Sequence, residues 1–240
     1  DLSILVTPVE VNGDGFADAM VILSRGTGKF MERKIELHLF YNQKVSATPF
    51  ASKPDQKLAL RGITPGAILK DINGDGRKDL LISHIKLGFW NTVRSLVARQ
   101  TIVVTAVYLM NEADRYPEDP DFQIKTKYKL DLAGGVRFHG IWPNLDGDFT
   151  GDGHPDLLVA RDGNIIVYPA ETGDSIFSTS HTQPGLATYP FKHIMDLNRD
   201  GRDDILLYEK KQRGKICVLV NTGEWPNKVS NSNDGQPSIR

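Results

Sequence analysis

Short apolar runs alternate with polar, glycine-bearing turns along most of the chain. Leu80-Leu81-Ile82, Leu157-Leu158-Val159, Ile205-Leu206-Leu207 and Ala19-Met20-Val21-Ile22 are short and rich in Leu, Ile and Val, so they read as buried β-strands rather than helices. Ile35, Leu37 and Leu39 alternate with polar residues, as in a half-buried strand. One grammar recurs: an apolar strand, an acidic turn, a second apolar strand, a third after another turn, and a more polar fourth. It predicts strands over 2–9, 19–23 and 33–41, with a weak fourth within 45–60. The second unit has 67–70, 80–84, 101–110 and 122–130. The third has 136–142, 157–160, 164–168 and 175–180, and the last has 190–195, 205–208 and 215–221, with no evident fourth strand. Leu87, Trp90, Val93, Leu96 and Val97 recur near helical spacing within 85–100. That insertion is expected to be a short amphipathic helix or an extended hairpin. It reads first as a cap on its own sheet, and second as a docking surface with Trp90 beside Arg94 and Arg99.

The acidic turn between first and second strands occurs four times with one spacing. The copies are Glu10, Asn12, Asp14, Gly15, Asp18; Asp71, Asn73, Asp75, Gly76, Asp79; Asp148, Thr150, Asp152, Gly153, Asp156; and Asp196, Asn198, Asp200, Gly201, Asp204. An oxygen-bearing side chain stands at positions 1, 3, 5 and 9, and Gly at position 6. A hard divalent cation such as Ca²⁺ takes six to eight oxygen ligands, and Gly permits the sharp turn that returns position 9 to the ion. The position-7 backbone carbonyl, of Phe16, Arg77, His154 or Arg202, adds an oxygen whatever its side chain. Three carboxylates per loop repel one another unless a cation neutralises them. Asp, Asn and Gly also make good turns without any metal, but four copies at one spacing, each running into an apolar strand, favour the metal. Position 12 is Val21, Ile82, Val159 or Leu207. An EF-hand would carry a bidentate Glu there and continue as a helix. These are calcium loops joining two strands, with up to four Ca²⁺ ions as cofactors.

The pattern resembles the FG-GAP and VCBS-type repeats of integrin α-subunits and bacterial extracellular proteins, over residues 1–224. The resemblance implies an all-β fold, a β-propeller of four-stranded blades, with the calcium loop linking the first two strands of each. The Phe-Gly and Gly-Ala-Pro signatures of the integrin repeat are not evident, which places the chain nearer the VCBS-like variety. Loop starts at 10, 71, 148 and 196 are spaced by 61, 77 and 48 residues, which suits blades with variable insertions. The repeats run about 1–62, 63–134, 135–186 and 187–225, and 226–240 is expected to be a disordered polar tail. The array closes as four blades or forms part of a larger ring, the second being preferred.

Composition adds little. The chain is 240 residues, 40% hydrophobic and 25% charged, enough for a sizeable core. No stretch approaches the length of a membrane-spanning helix, and Asp1-Leu2-Ser3 lacks the basic head and apolar core of a signal peptide, as a processed or trimmed N-terminus would too. The single Cys217 forms no internal disulfide and lies in a strand, so it reads as a structural thiol. Four Ca²⁺ ions would take the formal charge from −1 to +7, a weak pointer to polyanions. Low-affinity calcium sites work where calcium is plentiful, which favours an extracellular, periplasmic or cell-surface location.

No nucleophile elbow, phosphate loop or zinc helix is found. His154 is expected to turn its ring to solvent, and Asp203, at position 8, to point away from its loop. Asp146, just before the third loop, is a candidate extra ligand or marks an alternative register of that loop. His139, His181 and His193 would need the fold to bring them together. The acidic stretch 111–121 lacks the loop spacing, so a fifth metal site is not expected there. Basic residues are dispersed, and no nucleic-acid partner is expected. The main reading is a non-enzymatic, calcium-stabilised module that binds a protein or glycan, or docks further blades or subunits. One rival is the propeller of a secreted lyase-like enzyme, for which His139, His193 and Tyr189 are too loosely placed to be named catalytic. The other is a structural subunit of a larger complex.

Overall fold

The computed structural model describes residues 2–26, 34–45, 47–61, 66–85, 100–131, 137–139, 141–171, 176–177, 179–183, 191–209, 215–224 and 228–230. Within them every regular element is a strand, and every pairing is antiparallel. There are four sheets. The first is β1 (Leu2–Val9), β2 (Asp18–Arg25), β3 (Lys34–Phe40) and β4 (Gln56–Arg61), in chain order. The second is β5 (Ala67–Lys70), β6 (Asp79–Ile85), β7 (Gln100–Tyr108), β8 (Phe122–Asp131) and β9 (Arg137–His139). The third is β10 (Asn144–Gly147), β11 (Asp156–Arg161), β12 (Asn164–Tyr168), β13 (Thr179–Gln183) and β17 (Lys228–Ser230). The fourth is β14 (Phe191–Met195), β15 (Asp204–Glu209) and β16 (Lys215–Leu219).

Three expectations change. The strand expected over 136–142 does not lead into the third loop. Its described part, β9, extends the second sheet beyond β8, with Lys129 opposite His139. The strand that enters the third loop is β10. The fourth strand of the third sheet begins at Thr179, within the end of the expected 175–180 segment. Within the expected disordered tail, Lys228–Ser230 pairs with β13, Ser180 opposite Val229. The insertion 86–99, with Trp90, Arg94 and Arg99, lies outside the described residues, as does Tyr189.

The sheets stack face to face in chain order, and a two-residue parity decides which side chain faces which neighbour. Counting from the position-9 Asp, the first and third residues of the second strand face the preceding sheet, and the second faces the next. Leu80 and Ile82 pack with Met20, Leu37 and Leu39 of the first sheet. Leu81, with Val107, Phe122 and Ile124, packs against Leu157, Val159, Ile166 and Tyr168 of the third. Leu158, with Ile165 and Val167, meets Ile205 and Leu207 of the fourth. Phe122 stands edge-on to Tyr168 and Phe177, ring centres 5.6 and 5.0 Å away. First strands β5, β10 and β14 are neighbours in that order, and the first loop meets the second where the Lys78 N–H donates to the Val11 carbonyl, so the four loops lie along one side of the array.

Candidate functional site

Each loop is held at its far end by the position-9 carboxylate. Asp18, Asp79, Asp156 and Asp204 are at most 1% exposed. In each, Oδ2 accepts the N–H of loop position 2, from Val11, Ile72, Phe149 or Leu197, at 3.0, 2.8, 2.6 and 2.8 Å. Oδ1 accepts the N–H of the residue two places beyond the third strand: Asn42, Met110, Ala170 or Asn221, at 2.9, 2.9, 2.8 and 2.7 Å. The side chain thus ties loop start, second strand and third-strand end together, and satisfies two backbone donors that burial would otherwise orphan. Burial opposes its charge, pushing Asp79 and Asp156 up to about 6 and raising Asp18 as well.

Position 1 sits under the turn. Asp71 accepts the N–H groups of Gly74 and Gly76 at 2.7 and 2.9 Å. Asp148 accepts those of Gly151, Asp152 and Gly153, and Asp196 those of Arg199, Asp200 and Gly201. Glu10 reaches Gly13 and Asp14 through Oε1. Position 5 accepts the position-7 N–H in all four loops, from Phe16, Arg77, His154 and Arg202, at 2.8–2.9 Å. Position 3 caps the position-5 N–H through Asn12, Asn73 and Asn198, while Thr150 donates its hydroxyl to Asp148.

Three of the four position-5 carboxylates already face a cationic side chain. Lys44 Nζ lies 3.3 Å from Asp14, an Arg77 guanidinium nitrogen 2.7 Å from Asp75, and one of Arg202 3.0 Å from Asp200. The Phe16 N–H and then Lys44 hold Asp14 below the usual carboxylate range; the Arg202 N–H, followed by side-chain contacts, does the same for Asp200. Asp152 has no side-chain partner among the described residues. The donor set of each loop is carboxylate and amide or hydroxyl oxygen, the chemistry a hard divalent cation requires, and an oxygen that accepts one N–H keeps a lone pair. By this chemistry the residues fit calcium. Among the described residues no three His, Cys, Asp or Glu side chains converge on one point. The carboxylates are instead turned onto backbone N–H groups.

Several contacts were not legible in the spacing. Position 4 takes a left-handed backbone in every loop, at Gly13, Gly74, Gly151 and Arg199, with φ of 79, 77, 79 and 63°. In three loops it is Gly because the next loop leans on it. A Cβ at Gly13 or Gly151 would stand 2.9 Å from the carbonyl oxygen of Gly76 or Gly201, and one at Gly74 would strike the His154 ring. The His154 ring therefore rests on the second loop instead of facing solvent. Asp203 points inward, its Oδ2 accepting the Asp148 N–H at 2.8 Å. Asp146 binds Lys192 Nζ at 2.6 Å. The acidic stretch 111–121 braces the first two loops: Asp114 accepts from Asn12 Nδ2, and Tyr116 donates to the Lys78 carbonyl. His139, His181 and His193 lie on β9, β13 and β14, in three different sheets.

A family model of the FG-GAP-like repeat matches residues 148–207. The match starts at position 1 of the third loop and ends within β15, so it takes in both the third and fourth loops. It supports an FG-GAP-type repeat over that quarter of the chain. No curated protein and no solved structure matches the chain. Among the described residues no helix is long and apolar enough to cross a membrane.

Proposed function

We propose that this chain is a calcium-stabilised β-propeller module that works by binding, with each sheet as one blade and each acidic loop as one ion site. The observation that carries the reading is the fourfold repetition of one pattern, oxygen-bearing side chains at loop positions 1, 3, 5 and 9 with Gly at position 6. Positions 1, 5 and 9 bring carboxylates to one short turn, and Lys44, Arg77 and Arg202 stand where positive charge is wanted. The ligands would be Glu10, Asn12, Asp14 and Asp18; Asp71, Asn73, Asp75 and Asp79; Asp148, Thr150, Asp152 and Asp156; and Asp196, Asn198, Asp200 and Asp204. The carbonyls of Phe16, Arg77, His154 and Arg202 would complete the sets. Bound calcium would supply charge neutralisation and rigidity, fixing the loops as one platform for a protein or glycan partner outside the cell. The FG-GAP-like match supports the binding-module reading.

Calorimetric titration of chelator-stripped protein with calcium tests this. Uptake of up to four ions, with a rise in melting temperature at millimolar calcium, is the expected result. Absence of uptake, with an unchanged melting temperature, would reject the metal.

A further inference from the structure

We propose that the four loops work as two hydrogen-bonded pairs, first with second and third with fourth, and that Pro155 is the break between the pairs. The inference rests on the metal reading only where calcium is the probe; the pairing itself is a property of the chain.

Position 8 makes the difference. In the second loop it is Lys78, whose N–H donates to the Val11 carbonyl of the first loop at 2.7 Å. In the fourth it is Asp203, whose N–H donates to the Asp148 carbonyl of the third at 2.8 Å. In the third loop position 8 is Pro155, which has no N–H to give. Among the described residues no hydrogen bond joins the second and third loops. Their contact is the His154 ring over Gly74.

Each pair is reinforced on its own side. Between third and fourth, Asp203 Oδ2 takes the Asp148 N–H, and Asn221 Nδ2 donates to the Phe149 carbonyl at 2.6 Å. Asn221 also gives its own N–H to Asp204, so one residue serves both loops. Between first and second, Tyr116 holds the Lys78 carbonyl, while Asp114 of the same stretch holds Asn12. Backbone meets backbone within each pair at Gly13 against Gly76 and Gly151 against Gly201. A loop cannot shift without moving the partner whose carbonyl or N–H it holds. Ordering one loop therefore orders its partner, and an ion in one raises affinity in the other.

Site-resolved amide exchange is the direct test. Asp148→Ala, or Asp148→Asn if the first variant fails to fold, loosens the third loop and leaves its backbone groups in place. Exchange should quicken by about tenfold at the fourth-loop amides of Arg199, Asp200 and Gly201, with the first and second loops unchanged. In an Asp203→Pro background, which removes the carboxylate and leaves position 8 without an N–H as Pro155 does in the third loop, the same change should spread more weakly. A fourth loop that does not respond, or a response shared by all four loops, overturns the pairing. In the calcium arm, Asp152→Asn should abolish one ion site and weaken one other by about fivefold, leaving two untouched. Wild-type protein that takes up no calcium sinks the metal reading alone, because exchange still decides the pairing.

Discussion

The two inner sheets and the two end sheets are built from the same kinds of strand, yet they meet different surroundings. Leu80, Leu81, Leu157 and Leu158 are at most 1% exposed, so β6 and β11 bury both faces. In the first sheet Leu2, Ile4 and Val6 are 55–58% exposed, and in the fourth Ile216, Val218 and Val220 are 45–61% exposed. By parity these residues lie on the faces that look away from the array. What buries a strand here is its place in the stack, because each interface needs a face from either side. Exposed apolar faces of this size are uncommon on isolated domains.

That contrast can be broken most directly by truncation. Leu157→Ala, in the interface between second and third sheets, is expected to cost about 2–5 kcal/mol in denaturant unfolding. Leu206→Ala or Val218→Ala, on the outward face of the fourth sheet, should cost under about 1 kcal/mol. Equal losses at both places would mean that the outward face is covered in solution.

Asp156→Ala tests the buried clasp. It strands the Phe149 and Ala170 N–H groups and is expected to cost about 2–4 kcal/mol, against a much smaller loss for the solvent-exposed Asp200→Ala, whose partners are screened by water. The comparison belongs in chelator, so that ion binding does not enter.

The pH response is smaller and has a defined sign. Asp79 and Asp156 titrate near 6 in the folded chain, above their unfolded value, so the neutral form is the one the fold prefers. Chelated protein should therefore gain stability as pH falls from 7 toward 5, by about 1–2 kcal/mol per group, and lose it again as pH rises through 6. Asp14 and Asp200, held low, contribute the opposite trend only below about pH 4. A melting temperature that falls steadily from pH 7 to 5 in chelator would show that these carboxylates stay charged. The smallest effect is expected from Ile216→Lys or Val218→Lys, which should leave unfolding energy within about 0.5 kcal/mol and reduce light scattering at high concentration.

Much of the framework was legible in the sequence. The loop spacing located every second strand, because each position-9 Asp runs directly into a short apolar run that reads as a buried strand; that the Asp itself is a buried clasp on two backbone N–H groups was not legible. β10 was hidden for a physical reason: Asn144-Leu145-Asp146-Gly147 has the composition of a turn. Gly147 is there because a Cβ would meet Ile194 and Phe149 at 2.7–2.8 Å, a packing demand that no local propensity reveals. The more apolar 136–142 carries the stronger strand signal, although its described part, β9, belongs to the second sheet. The loop contacts were hidden because they join residues far apart in the chain. Asp203 looks like a spare carboxylate until Asp148 is beside it. The signals that could have served were Gly at position 4 in three loops and Pro155 at position 8 of the third.

The parity of the second strand constrains how such a chain can change length. A single residue gained or lost between Asp79 and Leu81 would exchange the side chains offered to the first and third sheets, turning the strand inside out. The connections beyond the second strand carry no such count. The unequal 61-, 77- and 48-residue intervals between loops are therefore where a lineage can add or remove sequence freely, while the few residues after each clasp admit only changes in pairs.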